Sequence, residues 1–160
     1  MTYFSAPGKE NLYSTINLAK KRTEELGLGD IVAASTTGVT AKAVVEVFKG
    51  TGAKLSFVGT GRERFPVALM QELQNKRCNV CFSHEIQYDY PDEMKAAYRR
   101  FCEGMKVAVE IAAIAAQQSY VPTDKDIVSI GKWDTAIVIR AATFGHFADL
   151  KIRELLCKPR

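Results

Sequence analysis

Between Ser35 and Thr40 the sequence Ser-Thr-Thr-Gly-Val-Thr places four short hydroxyl side chains and a glycine directly after an apolar run, Ile31-Val32-Ala33-Ala34. An apolar run followed by a polar cluster and then a helix-like stretch predicts a strand-to-helix turn. The first N–H groups of a helix have no intrahelical acceptor and lie at the positive end of its dipole, so such a turn suits a phosphate or carboxylate. Ser35, Thr36, Thr37 and Thr40 add adaptable hydroxyl donors. Gly38 is expected to let the backbone approach a bound group closely. The same residues also read as an ordinary helix cap, since Ser and Thr are favoured there, and the segment alone does not separate the two. It lacks the lysine and spacing of a Walker loop and is not a G-x-S-x-G nucleophile elbow.

Other residues able to do chemistry are scattered. Glu110 lies within Val107-Ala108-Val109-Glu110-Ile111, where a carboxylate needs a partner; it reads as a cleft carboxylate or as a hydrogen-bonded structural one. Asp134 fits a turn better than a general base. Arg140 reads as a cation near a site mouth or as one half of a surface ion pair, and Thr143 and His146 as phosphate or hydroxyl donors or as part of an exposed loop anchored by its aromatics. Phe144 or Phe147 is available to stack on a planar ring. Gly59-Thr60-Gly61-Arg62 follows a strand-like run and is a candidate rim. Cys78 and Cys81 have C-x-x-C spacing without a second pair, and they fall on a strand-like run rather than at a helix start. Free thiols and no metal site are expected. His84 has no accompanying ligand pattern.

These residues are set among alternating strand and helix signals. Helical spacing of Leu12, Ile16, Ala19, Thr23 and Leu26 predicts an amphipathic first helix, stopped by Gly27 and Gly29. A strand at 31–34, a helix from Thr40 to Phe48, a strand at 54–58, a helix over 65–76 and a strand at 79–83 follow. A long helical stretch from Pro91-Asp92 to Gln118 is expected to break near Gly104. Short β-rich runs follow at Ile127–Ile130 and Ala136–Arg140, and Leu150–Cys157 is a strand or a helix. The 160 residues, 47% hydrophobic and 25% charged, suffice for one domain spanning 1–160. A net charge of +4 favours anions weakly and argues against nucleic acid as a partner. No apolar run is long enough for a membrane span, no secretory signal is visible, and a cytoplasmic homo-oligomer is expected.

The strand followed by Ser35-Thr36-Thr37-Gly38-Val39-Thr40-Ala41 resembles the effector-phosphate turn of the pyruvate kinase C-terminal domain. The chain is similar to stand-alone proteins of the pyruvate kinase C-terminal domain-like family at Phe4–Asn11, Val32–Gly38, Lys106–Ile111, Asp134–Arg140 and Ile152–Arg160. It departs from the family pattern between Gly59 and Phe101, with Arg62-Glu63-Arg64 and Tyr88-Asp89-Tyr90-Pro91.

The resemblance implies a three-layer α/β/α sandwich with a mostly parallel sheet of order 3-2-1-4-5 and an antiparallel edge strand. It places the Ser35–Thr40 turn at the topological switch point, beside Ala136–Arg140 and the loop 141–147. The function it implies is binding of a phosphorylated small molecule, flavin mononucleotide or a sugar phosphate. Pyruvate kinase activity is not expected, because the chain has no room for the catalytic barrel. Two rival readings are a small enzyme acting on a phosphorylated metabolite or using flavin, and an oligomeric structural protein without a ligand.

Overall fold

The computed structural model describes residues 1–160. The chain runs β1 (Thr2–Phe4), α1 (Leu12–Leu26), β2 (Asp30–Ala34), α2 (Val39–Val47), β3 (Lys54–Gly59), α3 (Val67–Asn75) and β4 (Asn79–Phe82). It continues with α4 (Asp92–Arg99), α5 (Glu103–Gln117), β5 (Asp126–Lys132), β6 (Thr135–Arg140) and β7 (Lys151–Pro159). All seven strands join one sheet in the order β1-β7-β6-β5-β2-β3-β4.

Alternation along the central strands divides two cores. Ile31 and Ala33 of β2, with Leu55, Phe57, Val128 and Ile130, meet α1, α2 and α3. Val32, Val58, Ile127, Ile137 and Ile139 point the other way, onto α5. A strand buried on both faces reads as a continuous apolar run, which is why Ile31-Val32-Ala33 was recognisable. The result is a three-layer α/β/α sandwich with a mostly parallel sheet, as the sequence predicts.

The strand order departs from 3-2-1-4-5 in one respect. That five-strand order is present as β4-β3-β2-β5-β6, but β7 and β1 extend the sheet beyond β6. The antiparallel strand β6 is therefore interior, paired to β5 on one side and β7 on the other. Lys151–Pro159 resolves as a strand, and β1 adds to it in parallel through Thr2↔Cys157 and Phe4↔Pro159. The strand that adjoins β2 is β5, through Ile31↔Val128 and Ala33↔Ile130, not β6.

The long stretch predicted after Pro91 forms two helices, parted at residues 100–102, next to the break expected near Gly104. Cys102 caps α5, its Sγ accepting from the N–H of Met105 at 3.3 Å. Gly104 and Gly131 let α5 lie close on the sheet: a side chain at Gly131 would run into the backbone of Gly104 and Ala108, and one at Gly104 into Thr135. Close approach of α5 to β5 brings one face of the helix to the edge of the turn after β2. None of the helices is long and apolar enough to cross a membrane.

Candidate functional site

The carboxyl ends of β2, β3 and β5 open into a cleft of about 590 Å³, within the range of small-molecule sites. Its floor begins with the turn at 34–40. Ser35 is anchored from both sides: its N–H donates to the carbonyl of Val58 at 2.9 Å, and its Oγ accepts from the N–H of Ala41 at 3.0 Å. Thr36 Oγ1 lies 2.9 Å from Thr60 Oγ1, tying the turn after β2 to the turn after β3. These bonds fix the backbone so that the N–H groups of Thr36, Thr37, Gly38, Val39 and Thr40 have no acceptor within the protein.

Thr40 lies in the first turn of α2. It is 4% exposed, it lines the cleft, and its hydroxyl has no hydrogen-bond partner in the protein. No buried polar side-chain atom is left sealed and unpartnered anywhere in the molecule, so this hydroxyl opens onto the cleft. The N-cap position of α2 is Gly38, and the N–H of Ala41 is satisfied by Ser35 Oγ, so no threonine side chain caps the helix.

Gly38 is also required by the fold itself. Its φ of 85° lies in the left-handed region, and a side chain there would run into Leu69 Cδ2 of α3. Glycine at this position serves the bend of the turn and the contact with α3, and the cleft wall is formed by its neighbours.

The electrostatics come largely from residues outside the turn. Lys9, Arg64, Lys106 and Lys132 line the cleft together with Glu103 and Glu110. Both carboxylates are already paired, Glu103 with Arg99 at 2.7 Å and Glu110 with Lys106 at 2.5 Å. Lys9, Arg64 and Lys132 have no carboxylate partner, so the unbalanced charge of the cleft is positive. Lys9 and Lys132 lie over the Trp133 ring, 5.2 Å and 5.7 Å from its centroid. Arg62, by contrast, is held outside by Glu85.

Glu110 satisfies both of its readings. It faces the cleft, and its Oε1 also accepts from Tyr88 at 3.0 Å. Burial and the neighbouring Glu110 charge push the Tyr88 hydroxyl up to about 12, so it remains a donor. Asp134 is structural: buried at the β5–β6 hairpin, it accepts from the N–H of Gly8 at 3.2 Å and from Thr135 Oγ1 at 3.1 Å. It pins the Pro7–Lys9 segment, which delivers Lys9 to the cleft.

Arg140, Thr143 and His146 are not brought to the turn. β6 runs antiparallel to β5, so Arg140 pairs with Asp126 at the start of β5 while the cleft lies at Gly131 and Lys132. Six residue steps of about 3.3 Å put roughly 20 Å of strand between those ends. Thr143 and His146 face one another at 3.3 Å and do not line the cleft. Phe144 and Phe147 are occupied in a cluster with Tyr88 and Tyr90, Phe144 stacking on Tyr88 at 4.6 Å between centroids. The aromatic surface in the cleft is that of Trp133.

Cys78 and Cys81 lie at and within the edge strand β4, far from a helix start, and desolvation raises both thiols, Cys81 to about 12. That environment suppresses thiolate chemistry. No group of histidine, cysteine and carboxylate side chains is arranged to hold a metal ion.

Searched against known protein families, the chain matches no family model.

Proposed function

We propose that this protein binds a phosphorylated small molecule, with the phosphate seated on the Thr36–Thr40 turn. The observation that carries the reading is the Thr40 hydroxyl, which has no partner in the protein and opens onto a cleft with three cations free of carboxylates. Five adjacent N–H groups without acceptors supply main-chain donors around it. Helix-start donors, hydroxyls and cations together match the three-fold acceptor surface of a phosphate. The Ser35–Thr40 resemblance to an effector-phosphate turn points to the same group.

The rest of the ligand occupies the space between Trp133 and the α5 wall of Val107, Ile111 and Ile114. Flavin mononucleotide and a sugar phosphate both carry the required group. Arg140, Thr143 and His146 form no part of this site.

Isothermal titration with inorganic phosphate, and native mass spectrometry of the purified protein, test the reading. Thr40→Val preserves shape and removes the hydroxyl; a lost hydrogen bond to a charged group corresponds to roughly tenfold weaker phosphate binding. Wild-type protein that takes up no phosphate, or a Thr40→Val variant with unchanged affinity, would overturn it.

A further inference from the structure

Beyond anion binding, we propose that Lys106 and Glu110 form an acid–base centre, and that the cleft removes a proton from the carbon beside the carbonyl of a phosphorylated substrate. The inference rests on the anion site described above and adds a reaction to it.

The pair is placed by the face of α5. Glu103, Lys106, Val107, Glu110, Ile111 and Ile114 all line the cleft and recur at the three- and four-residue spacing of one helical stripe. The lower part of that stripe is apolar; the charged pair sits among these side chains with only 13% and 15% of each side chain exposed. Burying such a pair generally costs more than it returns, so packing alone gives it no reason to replace apolar residues here. It lines the same cleft as the turn at 36–40.

The hydrogen bonding leaves Glu110 able to act. Oε1 accepts from Tyr88 and Oε2 from Lys106, and each oxygen retains acceptor capacity. Tyr88 is itself held by stacking on Phe144, which makes it a positioning residue for the carboxylate. With the phosphate at Thr36–Thr40, a short carbonyl compound extends along the cleft toward α5.

The step balances without a further reactant. Glu110 takes the proton from the carbon next to the carbonyl, the C–H electron pair becomes a carbon–carbon double bond, and the carbonyl π pair moves onto oxygen. The Lys106 ammonium donates a hydrogen bond to that developing oxyanion. Return of the proton from Glu110 to carbon regenerates the substrate, and exchange of the carboxylic acid with solvent in between labels it.

The readout is therefore proton NMR in deuterium oxide, with dihydroxyacetone phosphate and glycolaldehyde phosphate as probes and phosphate-free dihydroxyacetone as control. Positioned acid–base catalysis predicts loss of the C–H signal beside the carbonyl about 100-fold or more faster than in buffer, for the phosphorylated probes only. Glu110→Gln returns the rate to near the buffer value without weakening the binding of inorganic phosphate, since it removes a negative charge from the cleft and frees Lys106. Glu110→Asp, which keeps the charge opposite Lys106 but withdraws the carboxylate, also slows exchange; it tests the idea should the glutamine variant fail to fold. Exchange at the buffer rate with probes that displace inorganic phosphate would overturn the acid–base centre alone. Exchange surviving in folded Glu110→Gln would do the same. Wild-type protein that ignores inorganic phosphate would overturn this inference together with the anion site.

Discussion

The hydroxyls of Thr36 and Thr60 lie 2.9 Å apart and join the turns that leave β2 and β3. Both residues line the cleft, so this bond sets the distance between two of its walls. Thr60→Val keeps the shape of the side chain and removes the bond. A partly buried hydrogen bond of this kind contributes about 0.5–1.5 kcal/mol, which for a chain of this length is a fall of roughly 2–4 °C in Tm per kcal/mol. Inorganic phosphate affinity falls severalfold with it, because the Thr36 rotor is no longer pinned. A thermal melt and a phosphate titration on the same variant check both, and a variant unchanged in each would show that the two turns are held by other contacts.

Gly38 offers a test that divides folding from binding. Its left-handed φ penalises any side chain, and alanine there also pushes on Leu69. Gly38→Ala is expected to cost about 1–3 kcal/mol, the scale of strain at a special backbone position plus crowding in the core. Adding Leu69→Ala to that variant removes the crowding but not the strain, so the second substitution costs less in the Gly38→Ala background than in wild type. Urea unfolding of the four proteins measures the coupling. Additive losses would show that the methyl at residue 38 and Leu69 do not meet.

The central β-α-β order was legible because its strands are buried on both faces and its helices stop at glycines. Ile31-Val32-Ala33-Ala34 and Gly50-Thr51-Gly52 are such signals. β1 was not legible: three residues, Thr2–Phe4, are too few to show alternation, and their pairing depends on β7 at the other end of the chain. The cap of α5 was missed because Cys102 is not a usual capping residue.

In the site, the hydroxyl cluster was legible because one short segment contains it. Its cations were not: Lys9, Arg64 and Lys132 come from three distant segments, and composition does not say which lysines lack a carboxylate. The distance of Arg140 from the turn did have a signal. The short Gly131–Thr135 connection between two β-rich runs is a hairpin, and a hairpin reverses direction, sending Arg140 to the opposite end of the sheet. Placing it beside the turn required a parallel strand.

Acid sensitivity is expected from the join between α1 and β7. Arg22 grips Glu154 with Nε at 2.8 Å and Nη2 at 2.7 Å, and these hydrogen bonds hold the carboxyl below its ordinary value. A carboxyl depressed in the folded state contributes stability that is complete above the unfolded value, about 4.3 for glutamate, and is lost as pH falls through the lower folded value. The pair is partly exposed, so after solvent screening its contribution is at most about 1 kcal/mol. Glu154→Gln therefore lowers stability by up to that amount at pH 7, and the gap to wild type closes as the pH is taken below 4. Urea midpoints of the two proteins at pH 7, 5 and 3 measure it. A gap that stays constant across that range would mean that the Arg22 hydrogen bonds do not depend on the charge of Glu154, and that α1 is held to β7 by packing alone.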